Sequence, residues 1–111
     1  MKVFKNGNLM VVTDDRGIID CEYEKAAGLY LEDTRFISRM ILKSSHTLRR
    51  LHTDFSWDRI ETHYLGRSKP GIPHYDIAVS ECLRADGNAL QAELTVRSYS
   101  LEDVRISFEY D

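Results

Sequence analysis

Cysteine, proline and tryptophan are scarce in this 111-residue chain, which contains two, two and one of them respectively. The N-terminus lacks the apolar run of a secretion signal, so Cys21 and Cys82 are expected to be free thiols in a reducing cytoplasm. No segment approaches the roughly 20 apolar residues of a membrane span, and we expect no membrane partner. The histidines are too scattered along the sequence to predict a local ligand pair, so neither a metal nor another cofactor is expected; they are His46, His52, His63 and His74.

An excess of positive charge is also lacking, because the formal net charge is −3. No basic stripe with interleaved aromatic residues is present, so we do not expect a nucleic-acid partner. Charged residues make up 30% of the chain and hydrophobic residues 42%, as in ordinary globular domains. At this length, residues 1–111 are expected to form a single β domain with one core.

The sequence does contain turn signals and segments in which apolar and polar residues alternate with a period of two. Asn6-Gly7 and Asp86-Gly87 each predict a hairpin with a type I′ turn. The alternation predicts short strands along most of the chain. The expected fold class is all-β, an antiparallel β-sandwich or a strongly bent sheet with little or no helix.

Two strands and one connection carry more specific expectations. Residues 36–42 have large apolar side chains on both faces, which predicts a strand covered on both sides. Trp57 alternates with Phe55, Thr53 and Leu51, so it is expected to belong to the core. The segment 66–73 has two prolines and two glycines and is predicted to be an exposed connection.

A compact polar group, Glu32-Asp33-Thr34-Arg35, lies inside the otherwise apolar stretch from Gly28 to Leu42. Asp33 and Arg35 could lie at a substrate or domain interface. The favoured interpretation is structural: the two side chains satisfy backbone groups or each other, because buried charges in small β domains must be hydrogen-bonded. Arg39 could join the same network.

Candidates for chemistry are few. Sugar recognition by stacking requires exposed rings, and the ligand-binding candidates are Tyr64, Tyr75 and Trp57, which lie near turns. Eighteen acidic residues provide carboxylate pairs by chance, but none lies in a signature of glycoside hydrolysis. The spacing indicates no Ser-His-Asp or Cys-His arrangement, so no catalytic residue is assigned.

Several segments carry a family resemblance. Gly28-Leu-Tyr-Leu-Glu-Asp-Thr-Arg-Phe-Ile-Ser-Arg39 resembles the Asp-Thr-Arg signature of the N-terminal domain of bacterial and archaeal glycogen debranching enzymes of the amylo-α-1,6-glucosidase type. The segment from Val11 to Ile19 resembles the opening of that domain. The segments from Glu93 to Tyr99 and from Val104 to Asp111 resemble its closing strand pair.

The resemblance implies a non-catalytic β-sandwich that packs against a helical catalytic barrel and assists α-glucan binding. The catalytic acids of such enzymes reside in the barrel, so the chain is not expected to be an enzyme by itself. One alternative is a free-standing oligomeric binding or assembly module without glucan affinity. An enzyme with its own small β site would instead need clustered acids or histidines with perturbed pKa values, and the sequence offers no such cluster.

The chain stops at Asp111 inside a predicted strand. We therefore expect either a domain truncated at its C-terminal end or a short protein. In both cases an open edge strand would favour a homodimer formed by sheet extension or strand exchange.

Overall fold

Eleven strands in three antiparallel sheets make up the computed structural model, which describes residues 1–68, 71 and 73–111. The all-β prediction is confirmed. The strands are β1 (Lys2–Asn6), β2 (Leu9–Thr13), β3 (Ile19–Asp20), β4 (Gly28–Leu31), β5 (Thr34–Ile37), β6 (Arg39–Ser44), β7 (Thr47–Phe55), β8 (Arg59–Arg67), β9 (Ile77–Asp86), β10 (Ala89–Ser98) and β11 (Ile106–Tyr110).

Sheet 1 has the strand order β1-β2-β4-β5, sheet 2 the order β10-β9-β8-β7, and sheet 3 the order β11-β6-β3. Sheets 1 and 2 pack face to face, as in a sandwich, and their inward side chains form one core. Its buried members include Phe4, Leu9, Val11 and Leu29 from sheet 1 and Ile60, Leu83 and Ala85 from sheet 2.

The two glycine hairpins form where the sequence predicts them, with one difference. Their two-residue loops are Gly7-Asn8 and Gly87-Asn88, because Asn6 pairs with Leu9 and Asp86 with Ala89. Only the glycine of each loop has a positive φ, 64° at Gly7 and 65° at Gly87. The predicted type I′ turns are therefore wrong, because that type needs positive φ at both central residues.

The predicted strand 36–42 is divided between two sheets. β5 ends at Ile37 in sheet 1, and β6 begins at Arg39 in sheet 3. Phe36 is the extra residue of a bulge in β5 and is 54% exposed. The prediction of a strand covered on both faces is wrong, because Phe36 is exposed at the bulge and residues 37–42, which are divided between two sheets, are only half-buried.

β8 is longer than predicted. It continues to Arg67, and Gly66 is buried inside it, so the exposed connection does not begin at Gly66. A Cβ at Gly66 would lie 2.7 Å from the Ile77 side chain and 2.8 Å from that of Leu48. Of the predicted connection, Lys69, Pro70 and Ile72 lie outside the described residues.

Trp57 is 74% exposed, which contradicts its predicted core position. It lies in the turn between β7 and β8, after the alternation of β7 has ended at Phe55. The central strands β8 and β9 form the buried face of sheet 2, whereas β7 is an edge strand and its Leu51 and Phe55 are exposed. Alternation indicates which side chains share a face, but it does not distinguish an edge strand from a central one.

Within the described part of the chain, no helix is long and apolar enough to cross a membrane.

Candidate functional site

A polar pocket lies beside the turns that join β1 to β2 and β4 to β5. Lys5, Met10 and Tyr30 are register partners across three strands of sheet 1, so their side chains share one face. The turns are joined where the Glu32 amide donates a 3.3 Å hydrogen bond to the Asn8 carbonyl. The pocket has a volume of about 280 Å³ and is lined by Lys5, Asn8, Met10, Tyr30, Glu32 and Asp33.

The β4–β5 turn has an unusual backbone for its residues. Glu32 and Asp33 have φ values of 48° and 69°, a pair of positive values that type I′ turns require and that glycine or asparagine usually supplies. A left-handed residue other than glycine costs about 1–2 kcal/mol, although aspartate tolerates it better than most. Strained backbone is often retained at functional sites, so the carboxylates of Glu32 and Asp33 are candidate functional groups.

The side chains of Tyr30 and Arg35 hold the loop at residues 21–27 against this face. The Tyr30 hydroxyl donates a 2.7 Å hydrogen bond to the Ala26 carbonyl. Arg35 Nη1 donates to the carbonyls of Lys25 and Ala27, at 2.8 and 3.3 Å. Arg35 thus satisfies backbone groups rather than Asp33. The Tyr30 ring is fixed at the wall of the pocket.

Arg39 belongs to a different network. Its Nε lies 3.7 Å from the buried Asp20 carboxylate, which accepts a 3.0 Å hydrogen bond from the Glu22 amide. Arg39 Nε is itself buried and has no hydrogen-bond partner among the described residues. Arg39 therefore anchors β6 to β3 rather than joining Asp33 and Arg35.

The two tyrosine candidates are not free stacking platforms. The Arg67 guanidinium lies over the Tyr75 ring, 4.5 Å from its centroid, and Arg49 Nη1 donates a 3.2 Å hydrogen bond to the Tyr75 hydroxyl. That hydrogen bond is the main cause that lowers the pKa of Tyr75. Tyr64 is half-buried in β8 on the inward face of sheet 2, and burial is the main cause that raises the pKa of its hydroxyl.

An apolar cleft of about 210 Å³ lies between sheets 2 and 3. Its walls include Met40, Leu42 and Phe108 from sheet 3 and Tyr64 and Glu81 from sheet 2. Glu81 is 7% exposed, and burial raises the pKa of its carboxyl group to about 7. A single carboxyl group in apolar surroundings favours its neutral form near neutral pH.

The histidines are less scattered in space than along the sequence. His52 and His63 are register partners on β7 and β8, and their rings stack with centroids 4.5 Å apart. With Asp54 they form a group of three side chains that could hold a metal ion. The sequence predicts no local ligand pair among the histidines, and His52 and His63 come together only because strand pairing joins residues that are distant in sequence.

Sequence reasoning missed most of the polar pocket. It singled out Asp33 but not Lys5, Asn8 or Tyr30, because it read these residues only as parts of strands and turns. The Asn6-Gly7 turn signal and the strand that begins at Gly28 could have indicated the pocket, because β2 pairs with both β1 and β4 and this places Lys5, Met10 and Tyr30 on one face.

Comparison with known proteins gives one family. Residues 4–111 match the family described as the N-terminal domain of (some) glycogen debranching enzymes. No curated protein and no solved structure matches the chain.

Proposed function

The chain belongs to the family of N-terminal domains of glycogen debranching enzymes, and we propose that it is a non-catalytic domain that binds α-glucan beside a catalytic barrel. The pocket at the β1–β2 and β4–β5 turns is the proposed glucan contact. The observation that carries the proposal is its combination of one fixed aromatic ring with four polar side chains around a concave surface.

Carbohydrate hydroxyl groups both donate and accept hydrogen bonds, and the pocket offers partners for both roles. The carboxylates of Glu32 and Asp33 accept, Lys5 donates, and the Asn8 amide does both. Tyr30 supplies an apolar ring surface, and its hydroxyl is already engaged by the Ala26 carbonyl. The volume of about 280 Å³ is near the lower end of known ligand pockets, which suits a short segment of a sugar chain.

The accessory role is supported by the distribution of carboxyl groups. Glycoside hydrolysis uses two carboxyl groups that face each other roughly 5–10 Å apart, one with a raised pKa. Among the described residues, Glu81 is the carboxyl group whose pKa is raised, and no second carboxyl group lines its apolar cleft. Glu32 and Asp33 are neighbours in one turn and do not face each other across a cleft.

The proposed contact with the catalytic barrel is the surface around Ser38, the residue between β5 and β6, to which the residue after β11 is hydrogen-bonded. The Ser38 amide donates a 2.9 Å hydrogen bond to the Asp111 carbonyl there. Phe36 is two residues before Ser38, Tyr110 precedes Asp111, and both rings are exposed. Aromatic side chains are enriched at protein interfaces, so this surface is suited to cover a neighbouring domain.

Affinity electrophoresis in gels that contain glycogen tests the glucan contact. We expect the domain to be retarded, and we expect Asn8→Ala and Asp33→Asn to abolish most of the retardation. Trp57→Ala is the matched control, since it removes an exposed ring outside the pocket, and it should migrate like the unmodified domain.

Absence of retardation at any glycogen concentration would contradict the glucan contact. Self-association of the same protein in sedimentation velocity would then favour the alternative, an oligomeric module formed through an edge strand. Loss of retardation only in Trp57→Ala would place the glucan contact at the β7–β8 turn instead.

A further inference from the structure

We propose that the outer face of sheet 2 holds a divalent transition-metal site, formed by His52 and Asp54 of β7 and His63 of β8, and that zinc is the metal that suits it. The three ligand atoms lie within 4.8 Å of one another. This face is the side of sheet 2 that points away from the core, and the site is separate from the proposed glucan pocket.

The distances fit a tetrahedral ion rather than direct hydrogen bonds. Asp54 Oδ2 lies 3.5 Å from His52 Nε2 and 3.7 Å from His63 Nε2. Zinc–nitrogen and zinc–oxygen bonds of about 2.0–2.2 Å place tetrahedral ligand atoms about 3.3–3.6 Å apart. The two imidazole rings are stacked at an interplanar angle of 20°, so one ring must rotate for both Nε2 lone pairs to point at a shared ion. Two imidazoles with one carboxylate are a donor set that zinc accepts well.

A β-bulge makes the site possible. Arg50 pairs with Tyr64, but His52 pairs with His63, so Leu51 is the extra residue on β7. Without the extra residue, His52 would be opposite Thr62 and would share the inward face with it. The bulge turns His52 to the outer face, where it meets His63, and bulges commonly re-aim a side chain in this way.

His63 also has the supporting contact that metal-binding histidines use. Its Nδ1 lies 3.1 Å from the Ser80 hydroxyl. In the tautomer in which Nδ1–H donates to Ser80, the lone pair is on Nε2, which faces Asp54. Glu61 is a second carboxylate beside this group, with its Oε1 3.3 Å from His63 Nε2. The two carboxylates offset the charge of a divalent ion.

The test is calorimetric titration of the chelator-treated domain with zinc chloride, together with NMR of the histidine rings. We expect 1:1 binding with changes confined to the rings of His52 and His63. His63→Ala and Asp54→Asn should each weaken binding at least tenfold, and Ser80→Ala should weaken it by about tenfold through the orientation of His63. These positions lie on the polar outer face, so circular dichroism should show an unchanged fold.

Two controls separate this site from other zinc ligands. His74→Ala and Cys82→Ser should leave the affinity unchanged, because neither side chain belongs to the group. The proposal is overturned if zinc gives no signal, if binding is not weakened by His63→Ala, or if binding is lost in either control variant.

Discussion

Gly28 lies directly against the backbone carbonyl oxygen of Ile37, so a Cβ at position 28 would overlap with that oxygen. Its φ of 153° is also one that side-chain-bearing residues rarely adopt. β4 and β5 can pair at this point only because the residue is a glycine. Such a close approach explains the glycine that begins the Gly-Leu-Tyr-Leu-Glu-Asp-Thr-Arg segment.

Gly28→Ala should therefore lower the free energy of unfolding by about 2–4 kcal/mol, because the oxygen it meets is backbone and cannot move aside easily. Gly87→Ala is the control, since it has a positive φ but no atom within 4 Å of the added Cβ. It should cost only about 1 kcal/mol. Urea unfolding measures the free energy of unfolding of both variants. Equal losses would show that the contact with the Ile37 carbonyl oxygen adds no destabilisation.

Glu81→Gln should remove a pH dependence of stability. The pKa of Glu81 is raised from 4.5 to about 7 by burial, so the folded state binds a proton that the unfolded chain releases. Ionisation of Glu81 should not affect the free energy of unfolding below about pH 4.5, and it should lower that free energy as the pH rises from about 4.5 to about 7. At pH 8, Glu81→Gln should be more stable than the native chain by roughly 2–4 kcal/mol.

Urea unfolding at pH 5 and pH 8 measures this difference. Glu93→Gln is the control, because Glu93 is exposed on the edge strand β10. The free energy of unfolding of this variant should depend on pH in the same way as that of the native chain. If Glu81→Gln is no more stable than the native chain at pH 8, the carboxyl group is not desolvated in the cleft.

Asp33→Gly should separate stability from glucan binding. Glycine adopts the φ of 69° at position 33 without strain, so the variant should be as stable as the native domain or up to about 1 kcal/mol more stable. The carboxylate is lost, so glycogen should no longer retard the variant. A clear fall in melting temperature would instead assign Asp33 a structural role.

Arg35→Met should loosen the loop at residues 21–27, because the two carbonyls that Arg35 binds lose their donor. We expect a loss of about 1 kcal/mol, since the guanidinium is exposed. Hydrogen exchange at the Ala27 amide, which donates to the Glu24 carbonyl at 2.8 Å, reports the opening of this loop directly. Arg97→Met on β10 is the matched control and should leave that exchange rate unchanged.

The strands and hairpins could be predicted from the sequence because their signals are local. Asn6-Gly7 and Asp86-Gly87 indicate where chains reverse, and the alternation in β8 and β9 indicates which side chains face inward. The exposure of Trp57 could not be predicted, because it depends on where β7 ends and on β7 being an edge strand, and the order of strands in a sheet is not encoded locally.

The candidate sites depend on register, and register is set by bulges that leave no clear mark in the sequence. One extra residue at Leu51 decides whether His52 faces the core or meets His63. The polar pocket depends in the same way on β2 pairing with both β1 and β4. The Asp-Thr-Arg segment could be singled out from the sequence, whereas Lys5, Asn8 and Met10, which line the same pocket as Asp33, come from another hairpin.

The most direct test of the central claim is an NMR titration of the isotopically labelled domain with maltoheptaose. The proposed glucan contact predicts saturable shift changes at the backbone amides of Lys5, Asn8, Tyr30, Glu32 and Asp33, and unshifted amides around Trp57 and Tyr75. Shifts centred on Trp57 or Tyr75, or no shifts at saturating sugar, would contradict a glucan contact in this pocket.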